Sequence, residues 1–288
     1  MNGSKSSNGA RSKARQKAIE QGKLVESINA LSPTDFIQRF DIASATLEAN
    51  AKLSYQSGRD LRVDLLFAQA MKKEHKNVLD ACFRLIEQSS AGNYKASEIK
   101  WSPTSKRKEM VLPDLRYLVI RENLSIASDS SDDSHTENPD VWGFVSFMVT
   151  YEDGFEVVYV YEIHLAPKLR GQGIGKVLMQ MVEEIGEKAR VNKCMLTVFK
   201  ANDTALKWYA RAGYVVDDFS PGPRILRNGT VKQPSYLIMS KLLKGSAEDG
   251  VLDKKSMHTD PAKLSSVQDA SNGTKNKSGM NGWLLDIL

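Results

Sequence analysis

The sequence has only two cysteines, Cys82 and Cys194, and its four histidines do not join them in any pattern of metal-ligand spacing. A disulfide framework and a zinc site are therefore excluded as organising features, and a reducing compartment is the natural setting. No apolar run is long enough to cross a bilayer. The N-terminus also lacks the hydrophobic core of a secretory signal, so a soluble chain is expected. Excess charge is missing from most of the chain as well. The formal net charge is +5, but residues 1–25 carry Lys5, Arg11, Lys13, Arg15, Lys17 and Lys23 against Glu20 alone. Residues 26–288 sum to zero, so the basicity belongs to a tail and not to a folded nucleic-acid-binding face.

What is present is ordinary for a globular protein: 288 residues, 41% hydrophobic and 26% charged, enough for one large domain or two small ones. Residues 1–25 read as a basic disordered arm, either a solvated tail or a segment for nuclear import or for contact with histone or nucleic acid. Residues 26–59 form a weakly helical extension, interrupted at Ser32-Pro33-Thr34-Asp35, where Ser32 or Thr34 is placed to cap a new helix. Val63, Leu66, Phe67, Ala70, Met71, Val78, Cys82, Leu85 and Ile86 recur at helical spacing and predict a strong helix over 63–86. Residues 90–97 read as loop, and Ser102-Pro103-Thr104 opens a short helix towards Met110.

Strands are expected over 115–121, 141–151 and 155–165. An acidic, Ser-rich loop over 122–140 and a tight turn at Glu152-Asp153-Gly154 separate them. Pro167 ends the third strand. Ile174, Val177, Leu178, Met181, Val182 and Ile185 then make one buried helical stripe. A strand over 193–200, a helix over 202–212, a strand over 213–216, a loop over 221–228 and a strand over 236–239 follow. Residues 244–288 read as a disordered tail in which Trp283-Leu284-Leu285 offers a short docking element. A strand meander joined to strand–helix–strand crossovers predicts an α/β (α+β mixed) domain over 60–243, a mixed sheet with helices on both faces.

The chemistry enters between the strand at 155–165 and the stripe at 174–185. A strand, a glycine-rich hexapeptide and an amphipathic helix in succession bind anions, because exposed N–H groups and the positive end of the helix dipole converge there. Spacing separates the candidates. A dinucleotide fingerprint from Gly171 would need its third glycine at Lys176. A P-loop read back from Gly175-Lys176 would need glycine at Arg170 and a hydroxyl at Val177. Both fail. The pattern present is Arg170-Gly171-Gln172-Gly173-Ile174-Gly175, and after the next strand Asn202 opens a helix containing Ala205-Leu206-Lys207-Trp208-Tyr209-Ala210-Arg211-Ala212-Gly213-Tyr214.

These two segments, in this order, resemble the pyrophosphate loop and the following helix of the GNAT superfamily of N-acetyltransferases. Tyr159-Val160-Tyr161-Glu162-Ile163-His164-Leu165 and Met195-Leu196-Thr197-Val198-Phe199-Lys200 are further similar to the NatD family, over roughly residues 60–240. The resemblance implies a central, mostly antiparallel twisted sheet flanked by helices, acetyl-coenzyme A as cosubstrate without a metal, and the N-terminal tails of histone 4 and histone 2A as partners. A monomer of the nucleus and cytoplasm is expected. It also implies that Arg170–Gly175, Lys176 and Asn202 hold the cofactor, that the backbone of Ile163, His164 and Leu165 pairs with its pantetheine arm, and that Tyr209 protonates the departing thiolate. Tyr159, Tyr161, Thr197, Tyr236 and Trp101 match substrate-pocket positions.

Glu162, embedded in an apolar strand, is the candidate base for an α-amine that is mostly protonated at neutral pH. Strand alternation puts its side chain with Val158, Val160 and His164, and puts Tyr159 and Tyr161 on the other face; a bulge, which the family has in this strand, would bring both to one cleft. The histone terminus begins Ser-Gly-Arg-Gly, and Glu152 is the candidate partner for its arginine. The sequence departs from the family at Thr150, where an acidic residue is expected, and at Ile86, where an aromatic hydroxyl is expected. Two other readings share the cofactor loop: acetylation of a lysine side chain or small amine, and a non-catalytic acyl-coenzyme A or chromatin-binding module.

Overall fold

The structure, a computed structural model, describes residues 23–123 and 141–244. Most of the basic arm, nearly all of the acidic 122–140 loop and the 245–288 tail lie outside the described residues. Three helices lead in, α1 (Leu24–Asn29), α2 (Pro33–Arg39) and α3 (Ile42–Ser57). Of the two expected caps it is Ser32 that acts: its Oγ accepts from the Asp35 amide at 3.2 Å, with Pro33 in the first helical position.

The expected helix over 63–86 is only partly a helix. Leu61–Phe67 is a strand, β1, and the helices are α4 (Ala68–Lys73) and α5 (Lys76–Ala96). The reason is packing: Leu61, Val63, Leu65 and Phe67 alternate into one core, and all seven residues pair antiparallel with β2 (Arg116–Glu122). A short apolar run fits both periods until its partner strand is known. The second correction is at 90–97, where α5 continues to Ala96. Its polar last turns are held because the Tyr94 ring packs on Trp101 and Phe199, at 5.5 and 4.8 Å between centroids. The short helix opened by Ser102 is α6 (Pro103–Glu109).

The remaining long strands are β3 (Val141–Glu152), β4 (Phe155–Leu165) and β5 (Lys193–Phe199). Helix α7 (Ile174–Ala189) joins β4 to β5, and α8 (Asp203–Arg211) follows β5. Next come β6 (Val215–Val216), a separate small hairpin of β7 (Arg224–Ile225) and β8 (Val231–Lys232), and β9 (Tyr236–Leu242). The seven-stranded sheet runs β1-β2-β3-β4-β5-β9-β6, and β4 with β5 is its parallel pair, as the helical crossover requires.

The sheet is covered on both faces, as expected. Helices α1–α3, α7 and α8 close one core around Phe36, Leu53, Val145, Val160 and Leu178. Helices α4–α6 close the other around Met71, Cys82, Ile86, Tyr117 and Phe144. The α7 stripe is buried as its spacing predicts, each large side chain contributing about 1.5–3 kcal/mol.

Two glycines separate packing from propensity. A Cβ on Gly143 would lie 2.5 Å from Leu165 Cδ2 and 2.8 Å from the His164 carbonyl oxygen, whereas one on Gly92, within α5, would meet nothing within 4 Å. Gly143→Ala is predicted to destabilise by about 1–3 kcal/mol. Gly92→Ala is predicted to stabilise by roughly 0.5–1 kcal/mol. Urea unfolding of the two variants checks both signs.

Candidate active site

β4 pairs with β3 along its length but with β5 only from Val157 to Val160, so beyond Val160 the parallel strands part. The β3–β4 register shifts at the same place: Glu162 faces Ser146 and Val160 faces Phe147, leaving Tyr161 as the extra residue of a bulge. A bulge breaks the strict alternation of side chains. Val158, Val160, Ile163 and Leu165 therefore enter the core beneath α7, while Tyr161, Glu162 and His164 turn to the opposite face. Simple alternation, which placed Glu162 and His164 with Val158 and Val160, is corrected by this one residue, the bulge that the resemblance implies for this strand. A cavity of about 850 Å³ opens where the strands part.

The glycine loop forms one wall. Its backbone is left-handed at Gly171 (φ 75°) and at Gly173 (φ 79°), and α7 starts at Ile174 with no side chain capping its N-terminus. The first N–H groups of such a helix are left for a ligand. Arg170, Gly171, Gly173, Ile174 and Gly175 line the cavity together with Ile163, His164, Leu165 and Asn202. Arg170 Nε donates to the Leu165 carbonyl at 2.9 Å, tying the loop to the strand end. Asn202 Oδ1 accepts from the Ala205 amide at 3.1 Å and so caps α8 at the cavity edge. Gln172 and Lys176 are not brought to the cavity: Gln172 donates its side-chain amide to the Lys168 carbonyl at 2.9 Å, and Lys176 lies exposed in the first turn of α7.

Glu162 stands at the centre of a charged network. Its Oε1 accepts from Lys106 Nζ at 2.8 Å and from the Tyr94 hydroxyl at 3.2 Å, and its Oε2 lies 2.5 Å from His164 Nε2. Lys106 Nζ also donates to Glu109 Oε1 and to the Tyr94 hydroxyl, each at 2.7 Å. His164 Nδ1 is 2.7 Å from Ser89 Oγ. Lys106 is 6% exposed and Glu162 9%. Burial alone would raise the Glu162 carboxyl; the Lys106 charge and the His164 hydrogen bond outweigh it and hold the group at about 2. Burial would lower Lys106, but Glu162 and Glu109 keep it well above the ordinary lysine value, hence charged. Glu109 moves the other way from Glu162: burial raises its carboxyl, the Glu162 charge adds to that, and Lys106 only partly opposes.

Sequence reasoning missed Lys106, Glu109, Tyr94 and Ser89. Helix α6 was visible from its Ser102 cap and Pro103. Nothing in Lys106-Arg107-Lys108-Glu109 marks which lysine turns inward, because that depends on how α6 docks against β4.

Tyr159 and Thr197 meet across the β4–β5 gap, hydroxyl to hydroxyl at 2.6 Å, with the Tyr161 ring 5.5 Å from that of Tyr159. All three line the cavity, as does Tyr209. Burial pushes the Tyr209 phenol well above its ordinary value, so it stays a neutral donor. Three expected substrate residues lie outside the lining. Tyr236 is buried on β9, opposite Phe199. Glu152 is buried at the β3–β4 turn, from which its charge reaches Tyr159 and Tyr161. Trp101 packs on Phe83 and behind Tyr94, which occupies the cavity wall in its place.

Residues 97–214 match the model of the acetyltransferase (GNAT) family. The chain is 28% identical over 177 residues to N-alpha-acetyltransferase 40 of Saccharomyces cerevisiae, covering 53% of this chain and 56% of that protein. It thus spans about half the length of that curated relative. Among solved structures, Arabidopsis thaliana NAA60 in complex with a bisubstrate analogue is 16% identical, over 58% of this chain and 95% of that one, with a TM-score of 0.38. A PaiA N-acetyltransferase from Thermoplasma acidophilum in complex with coenzyme A is 19% identical, over 62% and 98%, with a TM-score of 0.39.

Lys106→Met removes the charge that neutralises two facing carboxylates. It is predicted to cost about 3–5 kcal/mol at neutral pH. The Glu162 part of this has a defined sign. With its carboxyl held at about 2 against an ordinary 4.5, the ionic contribution is complete above the ordinary value and is lost as pH falls towards the depressed one. The penalty of the variant should therefore shrink in acid, as urea unfolding at neutral and at acidic pH will show.

Proposed function

We propose that the GNAT acetyltransferase domain spanning residues 97–214 transfers an acetyl group from acetyl-coenzyme A directly to the N-terminal α-amine of a protein. The observation that carries this reading is the buried Glu162–Lys106–Glu109 network opening into the same cavity as the glycine loop. Loop and cavity suit the cosubstrate. Positive φ at Gly171 and Gly173 and the uncapped start of α7 offer N–H groups to a pyrophosphate, and beyond Val160 the β4 edge at Ile163–Leu165 is unpaired by β5 and can take the pantetheine amides. Bound there, acetyl-coenzyme A supplies an activated acetyl group as its thioester.

The chain's own residues supply the rest. An α-ammonium entering the cavity meets an anionic cluster, two carboxylates against one lysine, which holds the cation and draws off its proton. Tyr209, neutral and lining the same cavity, is the donor to the departing thiolate. The Tyr159–Thr197 contact bounds the space beside the amine, which suits a small first residue.

The acceptor we propose is the N-terminal serine of histone 4 and histone 2A, starting Ser-Gly-Arg-Gly. Support comes from the Tyr159–Leu165 and 195–200 segments and from the likeness to yeast N-alpha-acetyltransferase 40. The enzyme would act as a monomer in the nucleus and cytoplasm, where these tails occur.

Mass spectrometry of Ser-Gly-Arg-Gly peptides incubated with enzyme and acetyl-coenzyme A should find acetate on the α-amine. Acetate only on lysine side chains, or none, contradicts the reading. Glu162→Gln, which removes one of the two carboxylates facing the ammonium, should lower turnover while leaving acetyl-coenzyme A affinity unchanged; undiminished turnover would remove Glu162 from the mechanism.

A further inference from the structure

The two carboxylates bridged by Lys106 are not equivalent. Both Glu162 oxygens are engaged, Oε1 by Lys106 and Tyr94 and Oε2 by His164. Glu109 uses only Oε1, towards Lys106; its Oε2 makes no hydrogen bond among the described residues, and the side chain, 16% exposed, lines the cavity. A proton acceptor needs a free lone pair facing the acid it deprotonates. We propose that Glu109 is the group that takes the proton from the acceptor ammonium, and that Lys106 bridges it to Glu162, which serves as a fixed counter-charge. This rests on the acetyl-transfer reading above and names the acid–base residue within it.

The environments agree with that division. The ionised Glu162 is held at about 2 and gains little by accepting a proton, whereas Glu109 is raised by burial and by its like-charged neighbour. Environments that push two neighbouring carboxyls apart assign them different roles. The titratable and charged groups around Glu109 are Lys106 on its own helix, Tyr94 on α5, Tyr117 on β2, and Tyr161 and Glu162 on β4, with His164 behind Glu162. The tyrosines are all pushed upward by burial and stay neutral. In the reaction the ammonium gives one proton to the Glu109 carboxylate, and the freed lone pair attacks the thioester carbonyl carbon. The C–N bond forms and the C–S bond breaks. The thiolate is protonated through Tyr209, which regains its proton from the acetylated nitrogen, and Glu109 returns its own proton to solvent.

The test is the pH dependence of kcat/KM for the peptide at saturating acetyl-coenzyme A, in the parent enzyme, Glu109→Gln and Glu162→Gln. Glu109→Gln should lower kcat by about a hundredfold, abolish the acid limb and leave acetyl-coenzyme A affinity intact. Glu162→Gln should keep an acid limb and move it to lower pH, because Glu109 then loses the like charge that raises it. Glu109→Asp, which retains a carboxylate, should retain the limb with partial turnover. The opposite pattern, an acid limb lost in Glu162→Gln and kept in Glu109→Gln, overturns the proposal and makes Glu162 the acceptor. Unchanged turnover in Glu109→Gln overturns it too. A parent enzyme that binds acetyl-coenzyme A but acetylates no amine overturns the acetyl-transfer reading itself.

Discussion

One extra residue in β4 carries most of the consequences described above. With Tyr161 bulged against the Ser146–Phe147 step, the strand reverses its alternation at mid-length. Its first half can then bury Val158 and Val160 beneath α7, and its second half can bury Ile163 and Leu165 in the same core while Glu162 and His164 turn to the other face. A regular strand would force a choice between a continuous core and a carboxylate facing the cavity. The bulge also lies just past the last pairing with β5, at Val160–Leu196, so the cleft opens where the polar side chains emerge.

The helical layer over that face completes the site as much as it covers the sheet. Helix α6 is short, with a Ser102 cap and a proline start, and its docking delivers Lys106 into a space enclosed by Glu162, Glu109 and Tyr94. Burying an ammonium and two carboxylates is costly unless each finds partners, which is why the network is compact and Tyr94 is shared between lysine and carboxylate. Trp101 and Phe83 hold Tyr94 and the helix from behind. Packing, charge neutralisation and acid–base chemistry thus depend on the same contacts.

Much of this could be read from the residues alone, for reasons that differ between parts. The glycine loop and the α7 stripe are local: a phosphate-binding turn needs its glycines at fixed offsets, and a helix with one buried face shows its period without a partner. Glu162 was recognisable because a carboxylate inside an apolar strand is unusual. Its face was not legible from alternation, since a bulge is a property of two strands together; the resemblance alone, which implies a bulge in this strand, pointed to it. The β1 strand was misread for a related reason: Val63, Leu66 and Phe67 satisfy a helical spacing, and only the seven-residue register with β2 decides against it. Lys106 and Glu109 lie on a short helix whose start is legible but whose inward side chains are set only by its docking.

The claim on which the functional account depends is that the cleft between β4 and β5 receives acetyl-coenzyme A along the unpaired strand edge and the glycine loop. Hydrogen–deuterium exchange with and without acetyl-coenzyme A tests it directly. The account predicts slowed exchange in peptides covering Ile163–Leu165 and Gly171–Gly175, with little change in the paired strands β1 and β2 at the far edge of the sheet. Slowed exchange elsewhere, with those two segments unaltered at saturating acetyl-coenzyme A, would contradict it.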